Sequence, residues 1–510
     1  MTKTEEYLSK IDKIPTVSFN KEQKIIAKKI IKKTNEKDLD AVYGLITQRV
    51  KTGFIFDEAP EVNHNAVAIV KENEALRIDG DGLDCIEHKL IIGENYDALK
   101  NLCATYIDKN GKGQIDVIYI DPPYNTEATK QEGNDYKEEV EATKFIYRDK
   151  FTRDGWLNMM NERLKLARSL LSDSGVIFIS IDDSEQAYLK VLCDEIFGEE
   201  NSISCAIWNS INSVLKNSKF IRKDHEYILI YSKNKNNLEN FNKLENSMQF
   251  SNPDNDPNGE WFSSNAAASD QSSDLNKFKI ELPNGNFCER NWKFTYDDFI
   301  NKKVSLYLKN GNVPRLKIYK KDCDLYTKIQ SSIFTNLGSI TTATKEIEKI
   351  FNIKVFETPK PVSLIKHILK IASQKDSVIL DFFAGSGTTG QAVMELNEED
   401  GGNRQFILVT NNENNIGEKI TRERLYRVIK GVGSKGEKFE WTYSKDTPFL
   451  NKNSVRVFDI ETHKLTLNDL DKAEELKEKA KLEFKKLNQD YSTNNDFDIY
   501  NELSSLNPQK

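Results

Sequence analysis

Short β-branched runs that alternate with amphipathic segments constrain the fold of this chain most strongly. Each run ends in a turn or a carboxylate, which is typical of buried parallel strands. They predict strands at 89–93, 116–121, 176–182, 227–232, 377–383 and 404–413. Amphipathic helices are predicted to end at Gly175 and Gly198. This alternation predicts an α/β fold built on a doubly wound parallel sheet.

The regular alternation occupies two separate stretches of the chain. With 510 residues, the chain is longer than a single compact hydrophobic core usually accommodates. Between them the periodicity fades into a segment rich in Asn, Asp, Ser, Gly and Lys. We therefore expect one sheet built from two halves, with an insertion between them. The expected regions are a helical N-terminus (1–60), a first half (61–235), the insertion (236–355), a second half (356–435) and a C-terminal assembly region (436–510).

Charge is distributed unevenly along the chain, whose net charge is −7. Residues 201–360 carry 23 Lys and Arg against 18 Asp and Glu, a net of +5. A basic middle between acidic parts fits a protein that holds phosphates with one region, although chance fluctuation is the alternative. Lysines and arginines in 214–223 and 302–321 are the candidate phosphate contacts.

Cysteine and histidine usage indicates no metal site. The six cysteines lie far apart without a CxxC pair, and the five histidines are scattered. No apolar run is long enough to span a bilayer, and the N-terminus lacks a signal-peptide pattern. We therefore expect a cytoplasmic protein that needs neither metal nor membrane.

The motif DVIYIDPPYNT places Asp121, Pro122, Pro123 and Tyr124 directly after a predicted strand. In an open α/β sheet, ligands bind at the carboxyl ends of the strands. The Asp121 carboxylate and the Pro122 carbonyl offer two hydrogen-bond acceptors on a loop that the prolines stiffen. Two acceptors suit an adenine amino group, because they can free its lone pair to attack, and Tyr124 offers a face for stacking. The alternative is a proline-rich turn with a solvated aspartate.

A second motif, VILDFFAGSGTTGQAV, reads as a strand, a tight glycine turn and the start of a helix. Gly385 and Gly387 permit close approach of the backbone to a ligand, and Thr388 and Thr389 can cap the helix. The turn has neither the Walker nor the GxGxxG spacing. Glu413, at the end of the next predicted strand, is placed to accept bonds from ribose hydroxyls. A small adenosine-containing cofactor fits this pattern, and a purely structural turn is the alternative.

DPPYNT followed far downstream by DFFAGSGTT resembles the amino-methylating DNA methyltransferases of the permuted β class. Further segments, including FDEAPEV, GENYDALKNL, DHEYILIYSKN and NPDNDPNG, resemble modification subunits of Type III restriction-modification systems between about residues 40 and 430. The resemblance implies a circularly permuted, Rossmann-like sheet that uses S-adenosylmethionine, with a target-recognition domain inserted.

The resemblance also implies methyl transfer to adenine N6 in duplex DNA by base flipping. The implied partners are double-stranded DNA, a second copy in a homodimer and a restriction subunit. Transfer to cytosine N4 or to RNA, and a role in DNA specificity and assembly, remain alternatives. The implied catalytic residues are Asp121, Pro122, Pro123 and Tyr124. The implied cofactor-binding residues are Asp381, Phe383, Ala384, Gly385, Gly387, Thr388, Glu413, Lys360 and Glu94.

Three smaller features have two interpretations each. Asp182 and Asp183 either cap the helix that follows them or border the substrate pocket. The aromatic residues at 145, 151 and 156 either line a pocket for a flipped base or pack in the core. The apolar stripe in 473–487 predicts a docking face, for another subunit or for the body of the same chain.

Overall fold

The computed structural model forms two compact units, Met1–Ala59 and Pro60–Lys510. It describes residues 3–13, 21–39, 42, 43, 46, 63–82, 84–124, 153–211, 221–245, 250–268, 276–282, 285–309, 313–325, 327–466, 468–493 and 497–505. The smaller unit contains helices α1 (Lys3–Lys13) and α2 (Lys21–Lys33). Its apolar side chains pack into a separate core around Ile11 and Ile31.

The larger unit is organised by an eleven-stranded sheet of the described residues. The strands, numbered along the chain, are β1 (Asn63–Glu72), β2 (Ile86–Ile92), β3 (Ile115–Ile120), β4 (Leu171–Ile181), β5 (Ser202–Asn209), β6 (His225–Ser232), β14 (Ile333–Phe334), β15 (Val378–Asp381), β16 (Gln405–Thr410), β17 (Asn453–Lys464) and β18 (Ser504–Ser505). Their order across the sheet is β14-β5-β6-β4-β3-β15-β16-β2-β17-β1-β18.

Helices connect and cover these strands. They are α3 (Asn95–Tyr106), α4 (Arg153–Leu170), α5 (Gln186–Phe197), α7 (Ile340–Phe351), α8 (Val362–Ala372), α9 (Thr388–Asp400), α10 (Glu423–Lys430), α11 (Leu470–Leu487) and α12 (Ile499–Glu502), whereas α6 (Tyr296–Ile300) lies in the insertion. Their apolar faces are buried; in α8, for example, Leu364, Ile365 and Ile368 join the core that contains Ile379 of β15. Among the described residues, no helix has both the length and the apolar character needed to cross a membrane.

The two halves of the sheet meet where β3 and β15 pair in parallel. Ile379 lies opposite Val117, although the two strands are far apart in the chain. From this junction the order runs outward to β4 on one side and to β16 and β2 on the other, all parallel. The doubly wound, permuted arrangement is therefore confirmed, with its reversal of strand order between β3 and β15.

The sheet departs from the sequence prediction at β6 and at the end of α4. Strand β6 was expected to be parallel but runs antiparallel to both β4 and β5. Helix α4 ends at Leu170, before Gly175, which instead lies within β4. A Cβ atom at Gly175 would lie 2.9 Å from the carbonyl oxygen of Ile115, so the glycine allows β4 to pass close to its neighbour.

The insertion contains seven short strands among the described residues and the helix α6. The strands are β7 (Leu244–Glu245), β8 (Trp261–Asn265), β9 (Lys277–Glu281), β10 (Phe287–Asn291), β11 (Leu306–Lys309), β12 (Val313–Tyr319) and β13 (Thr327–Lys328). They form three small sheets beside a local core around Trp292 and Phe294. The following β14 and α7 belong to the main sheet and its core, so the structure ends the insertion earlier than the expected 355.

The C-terminal region is part of the main sheet domain. Strand β17 lies between β2 and β1. The expected docking stripe on α11 is buried within the chain, against β1 and α3. Its members are Ala473, Leu476, Ala480, Phe484 and Leu487. Of the two alternatives for this stripe, docking against the body of the same chain is the one that the structure shows.

Candidate active site

The two sequence motifs meet at one cavity of about 630 Å³. The loop after β3 and the loop after β15 both leave the carboxyl ends of paired strands, so they face each other. The predicted residues that line the cavity are Asp121, Pro122, Pro123, Tyr124, Lys360, Asp381, Phe383, Ala384, Gly385 and Thr388. The structure therefore brings most of the predicted site residues together.

Trp156 of α4 fixes the position of the loop after β3. Its indole Nε1 donates a hydrogen bond to the carbonyl oxygen of Pro123 at 2.7 Å, and its ring is fully buried. Core packing is therefore the correct interpretation for Trp156. The other two aromatic candidates, at 145 and 151, lie outside the described residues.

An ion-pair network surrounds Asp121. The Lys360 Nζ atom lies 2.8 Å from both carboxylate oxygens of Asp121 and 3.4 Å from Oε2 of Glu226. The Tyr124 hydroxyl lies 2.8 Å from Asp121 Oδ1 and 2.8 Å from Glu226 Oε2. Glu226 was not among the predicted site residues. In the sequence it is only a carboxylate near the start of a largely apolar strand, and this pattern does not reveal that it contacts Lys360 and Tyr124.

Burial and charge shift the pKa values of this network. Burial raises the pKa of Asp121, against the opposing effect of the Lys360 ammonium. Burial alone would lower the pKa of Lys360, but Asp121 and Glu226 outweigh it and the pKa is raised. Burial also raises the pKa of the Tyr124 hydroxyl. Lys360 is therefore a cation at neutral pH, and Tyr124 keeps its proton.

The turn after β15 depends on two glycines with left-handed backbone. Gly385 has φ +48° and Gly387 has φ +78°. A Cβ atom at Gly385 would lie 3.3 Å from the Phe356 ring. Side chains at these positions would combine backbone strain with crowding, so the turn requires glycine.

The two threonines after this turn do not cap α9, contrary to the sequence prediction. The N-cap is Gly387, which has no side chain. Thr388 Oγ1 accepts a bond from the buried Arg424 at 2.8 Å, and Thr389 Oγ1 donates to Asp381 Oδ2 at 2.5 Å. The threonines thus tie the turn to its surroundings.

Asp381 is buried at the end of β15, where its carboxylate also accepts a bond from the Phe383 backbone N–H at 3.0 Å. Burial raises its pKa to about 7. A carboxylate held in this way beside a glycine turn can orient a polar ligand in the cavity.

Comparison with known proteins shows to which family the chain belongs. The family model described as DNA methylase, covering N6 and N4 methyltransferases, matches residues 115–430, which is more than half of the chain. The chain belongs to the DNA methylase family. The match includes both motifs of the cavity and confirms the resemblance drawn from them. A second model, described as an uncharacterised conserved protein, matches residues 4–111.

Individual members of the DNA methylase family are also similar. The Type III restriction-modification enzyme StyLTI Mod subunit of Salmonella typhimurium is 36% identical, over 73% of this chain and 60% of that protein. The EcoPI Mod subunit of Escherichia phage P1 is 33% identical, over 68% of this chain and 62% of its own length. The Type II methyltransferase M.KpnI of Klebsiella pneumoniae is 30% identical, over 69% of this chain and 87% of its own length. The chain thus spans about 60% of the length of the two Mod subunits.

Three of the predicted cofactor-binding residues do not line the cavity. Glu94 is the N-cap of α3 and binds Arg163 at 2.6 Å. Glu413 begins a short 3-10 helix just after Thr410 and Asn411, which do line the cavity. Gly387 lies in the turn as the N-cap of α9. Cofactor contacts by Glu94 and Glu413 stay predictions.

Asp182 and Asp183 border the cavity, in agreement with the interpretation that they lie at the substrate pocket. Asp182 accepts a bond from the Ser184 backbone N–H at 2.8 Å, but the N-cap of α5 is Glu185. Asp183 pairs with Lys223 at 3.0 Å, at the rim of the cavity.

One of the lysines in 302–321, Lys317, is not available as a phosphate contact. The Lys317 side chain is 8% exposed and is bound between Asp254 and Asp256, so it stabilises the insertion itself. Within the described part of the chain, no group of three or more His, Cys, Asp or Glu is arranged to hold a metal ion.

Proposed function

We propose that this protein transfers a methyl group from S-adenosylmethionine to the N6 amino group of adenine in duplex DNA. One observation carries the proposal. The Asp121–Tyr124 loop and the glycine turn at 384–388 line the same cavity, from neighbouring parallel strands. An acceptor pair for an amino group thereby faces a turn suited to a small adenosine-containing ligand.

The cavity fits S-adenosylmethionine in size and chemistry. Its volume of about 630 Å³ lies within the usual range for small-ligand sites. Gly385 leaves room for a close backbone approach, and the buried Asp381 and the hydroxyl-bearing Thr410 offer polar groups along the same wall. When bound, S-adenosylmethionine supplies an electrophilic methyl carbon.

The chain's own residues prepare the amino group. The Asp121 carboxylate and the Pro122 carbonyl accept its two hydrogens, which pulls the nitrogen toward tetrahedral geometry and frees its lone pair. Trp156 keeps this loop in place through Pro123, so the acceptors are preorganised. Tyr124 offers its ring for stacking, which offsets part of the few kcal/mol that extruding a base from the duplex costs.

Analysis of the methylated product tests the proposal. Purified protein is incubated with DNA and labelled S-adenosylmethionine, and the nucleosides are separated. N6-methyladenine is the expected product. N4-methylcytosine, or methylation of RNA only, would support the first alternative. Binding of DNA without any methyl transfer would support a specificity and assembly subunit.

We further propose that the protein serves as the modification subunit of a Type III restriction-modification system in the cytoplasm. The names of the two Mod relatives support this, as does the presence of an insertion between the two halves of the sheet. The proposed partners are double-stranded DNA, a second copy of the chain and a restriction subunit. Sequencing that detects modified bases, with and without the gene, would identify the target, and gel filtration would give the oligomeric state.

A further inference from the structure

We propose that Glu226 is a positioning residue that receives the Lys360 ammonium while a substrate amino group occupies Asp121. The inference rests on the proposed function, because it assigns a role at the same site. Glu226 does not act on the substrate directly; it acts through Lys360.

The acceptor atoms of Asp121 are already engaged. Lys360 Nζ is within 2.8 Å of both carboxylate oxygens, and the Tyr124 hydroxyl contacts one of them. A carboxylate has a limited number of lone-pair sites. Because the ammonium contacts both oxygens, an incoming amino group has to share an oxygen with it. Two donors that crowd one oxygen compete for it, and this competition moves the ammonium away from Asp121.

The displaced ammonium needs a new partner inside the protein. The Lys360 side chain is 7% exposed, and leaving a buried cation unpaired is strongly unfavourable. Among the described residues, Asp121 and Glu226 provide the carboxylates within 4 Å of it. Glu226 Oε2 is at 3.4 Å, so a shift of about 0.6 Å would bring the ammonium to hydrogen-bonding distance.

Glu226 is held where this transfer requires it. It lies near the start of β6, opposite Trp208 of β5, and its side chain is 9% exposed. The Tyr124 hydroxyl, at 2.8 Å, ties the carboxylate to the DPPY loop. Each of the other cavity carboxylates has a different partner: Thr389 for Asp381, Ser184 for Asp182, Lys223 for Asp183 and Lys354 for Glu357. Glu226 is therefore fixed while the ammonium moves.

Charge removal at Glu226 tests the inference. In Glu226→Gln the amide oxygen can still accept a bond from Tyr124, but the charge that attracts Lys360 is lost. At saturating cofactor and DNA, kcat should fall about tenfold or more. The dissociation constants of S-adenosylmethionine and DNA should stay within about twofold, because glutamine has nearly the same shape as glutamate and the glycine turn is untouched. Glu226→Asp keeps the charge and should recover part of kcat.

A double-variant cycle separates positioning from a structural effect. In Lys360→Met there is no ammonium to receive, so adding Glu226→Gln should change kcat by less than about twofold. Glu461→Gln serves as a carboxylate control, since Glu461 pairs with Lys71 and Lys479 away from the cavity. Melting curves confirm that each variant is folded, and Glu226→Ala, which also removes the charge, replaces Glu226→Gln in the cycle if the latter does not fold.

Each outcome supports or overturns the inference. Unchanged kcat in Glu226→Gln, or an equal loss in the presence and absence of Lys360, would overturn it while leaving the proposed function intact. A wild-type protein that methylates no nucleic acid would contradict the proposed function and this inference together.

Discussion

The Lys360 ammonium bridges the two halves of the sheet domain by binding both carboxylate oxygens of Asp121 at 2.8 Å. Asp121 follows β3, whereas Lys360 precedes α8, and 239 residues separate them in the chain. Both residues line the cavity at the junction of β3 and β15. The ion pair engages the carboxylate that the proposed reaction uses as one of its two acceptors, so the reaction requires the ion pair to open.

The first prediction concerns pH. Asp121 must be ionised to accept an amino hydrogen, so kcat is lost as pH falls through its pKa. Burial raises this pKa above the ordinary 3.8, and Lys360 opposes the rise. Lys360→Met should therefore move the acid limb of the kcat–pH profile to higher pH. Profiles of wild type and variant at saturating cofactor test this; a limb that moves to lower pH would contradict it.

The second prediction concerns Trp156, whose indole holds the Pro123 carbonyl. Trp156→Phe removes this bond and should lower the free energy of unfolding by about 1–3 kcal/mol, with a loss of kcat. Trp208→Phe is a matched control. Trp208 is also fully buried, but its Nε1 has no hydrogen-bond partner within the described structure. Denaturant melts and kcat are compared; equal effects of the two variants on kcat would argue against the role of the bond.

The third prediction concerns Tyr124. Tyr124→Phe keeps the flat ring and should retain most activity, whereas Tyr124→Ala should lose about 1–3 kcal/mol of stacking and much of the activity. Fluorescence of 2-aminopurine at the target position measures extrusion of the base. It should brighten most with Tyr124→Ala, because the stacking partner that quenches it is gone. Tyr124→Ala that binds the site without any brightening would mean that the base is not flipped here.

The strands and the two motif loops could be predicted from the sequence because their signals are local. The β-branched runs before Asp121 and Asp381 place both residues at strand ends, and parallel strands bring such ends to one edge. The glycine spacing likewise follows from backbone conformation at Gly385 and Gly387. These features need no knowledge of which strands are neighbours.

Other features of the fold and the site depend on which elements are neighbours in space, and local sequence patterns do not encode this. Glu226 reaches Asp121 because β6 runs antiparallel to β4, and its sequence gives no sign of that direction. The apolar stripe around Phe484 correctly predicts a buried face, but helical spacing does not specify what covers it. The sequence alone leaves Lys317 among the candidate phosphate contacts of 302–321, because its two partners, Asp254 and Asp256, lie about 60 residues earlier in the chain.

The fourth prediction concerns target recognition by the insertion. Exchanging residues 244–328 for the corresponding segment of a relative should change the DNA sequence that is methylated and leave the chemistry intact. The exchange leaves β14 and α7 in place, since both belong to the main sheet domain. Sequencing that detects modified bases measures the outcome; an unchanged target would place recognition elsewhere in the chain.

The most direct test of the proposed active site is methyl transfer by Asp121→Ala, measured with labelled S-adenosylmethionine beside cofactor binding by calorimetry. The substitution removes one of the two acceptors and leaves the glycine turn untouched. Transfer to adenine should fall about 100-fold or more, while the dissociation constant of the cofactor stays within about twofold. Methylation by Asp121→Ala at the wild-type rate would contradict the account.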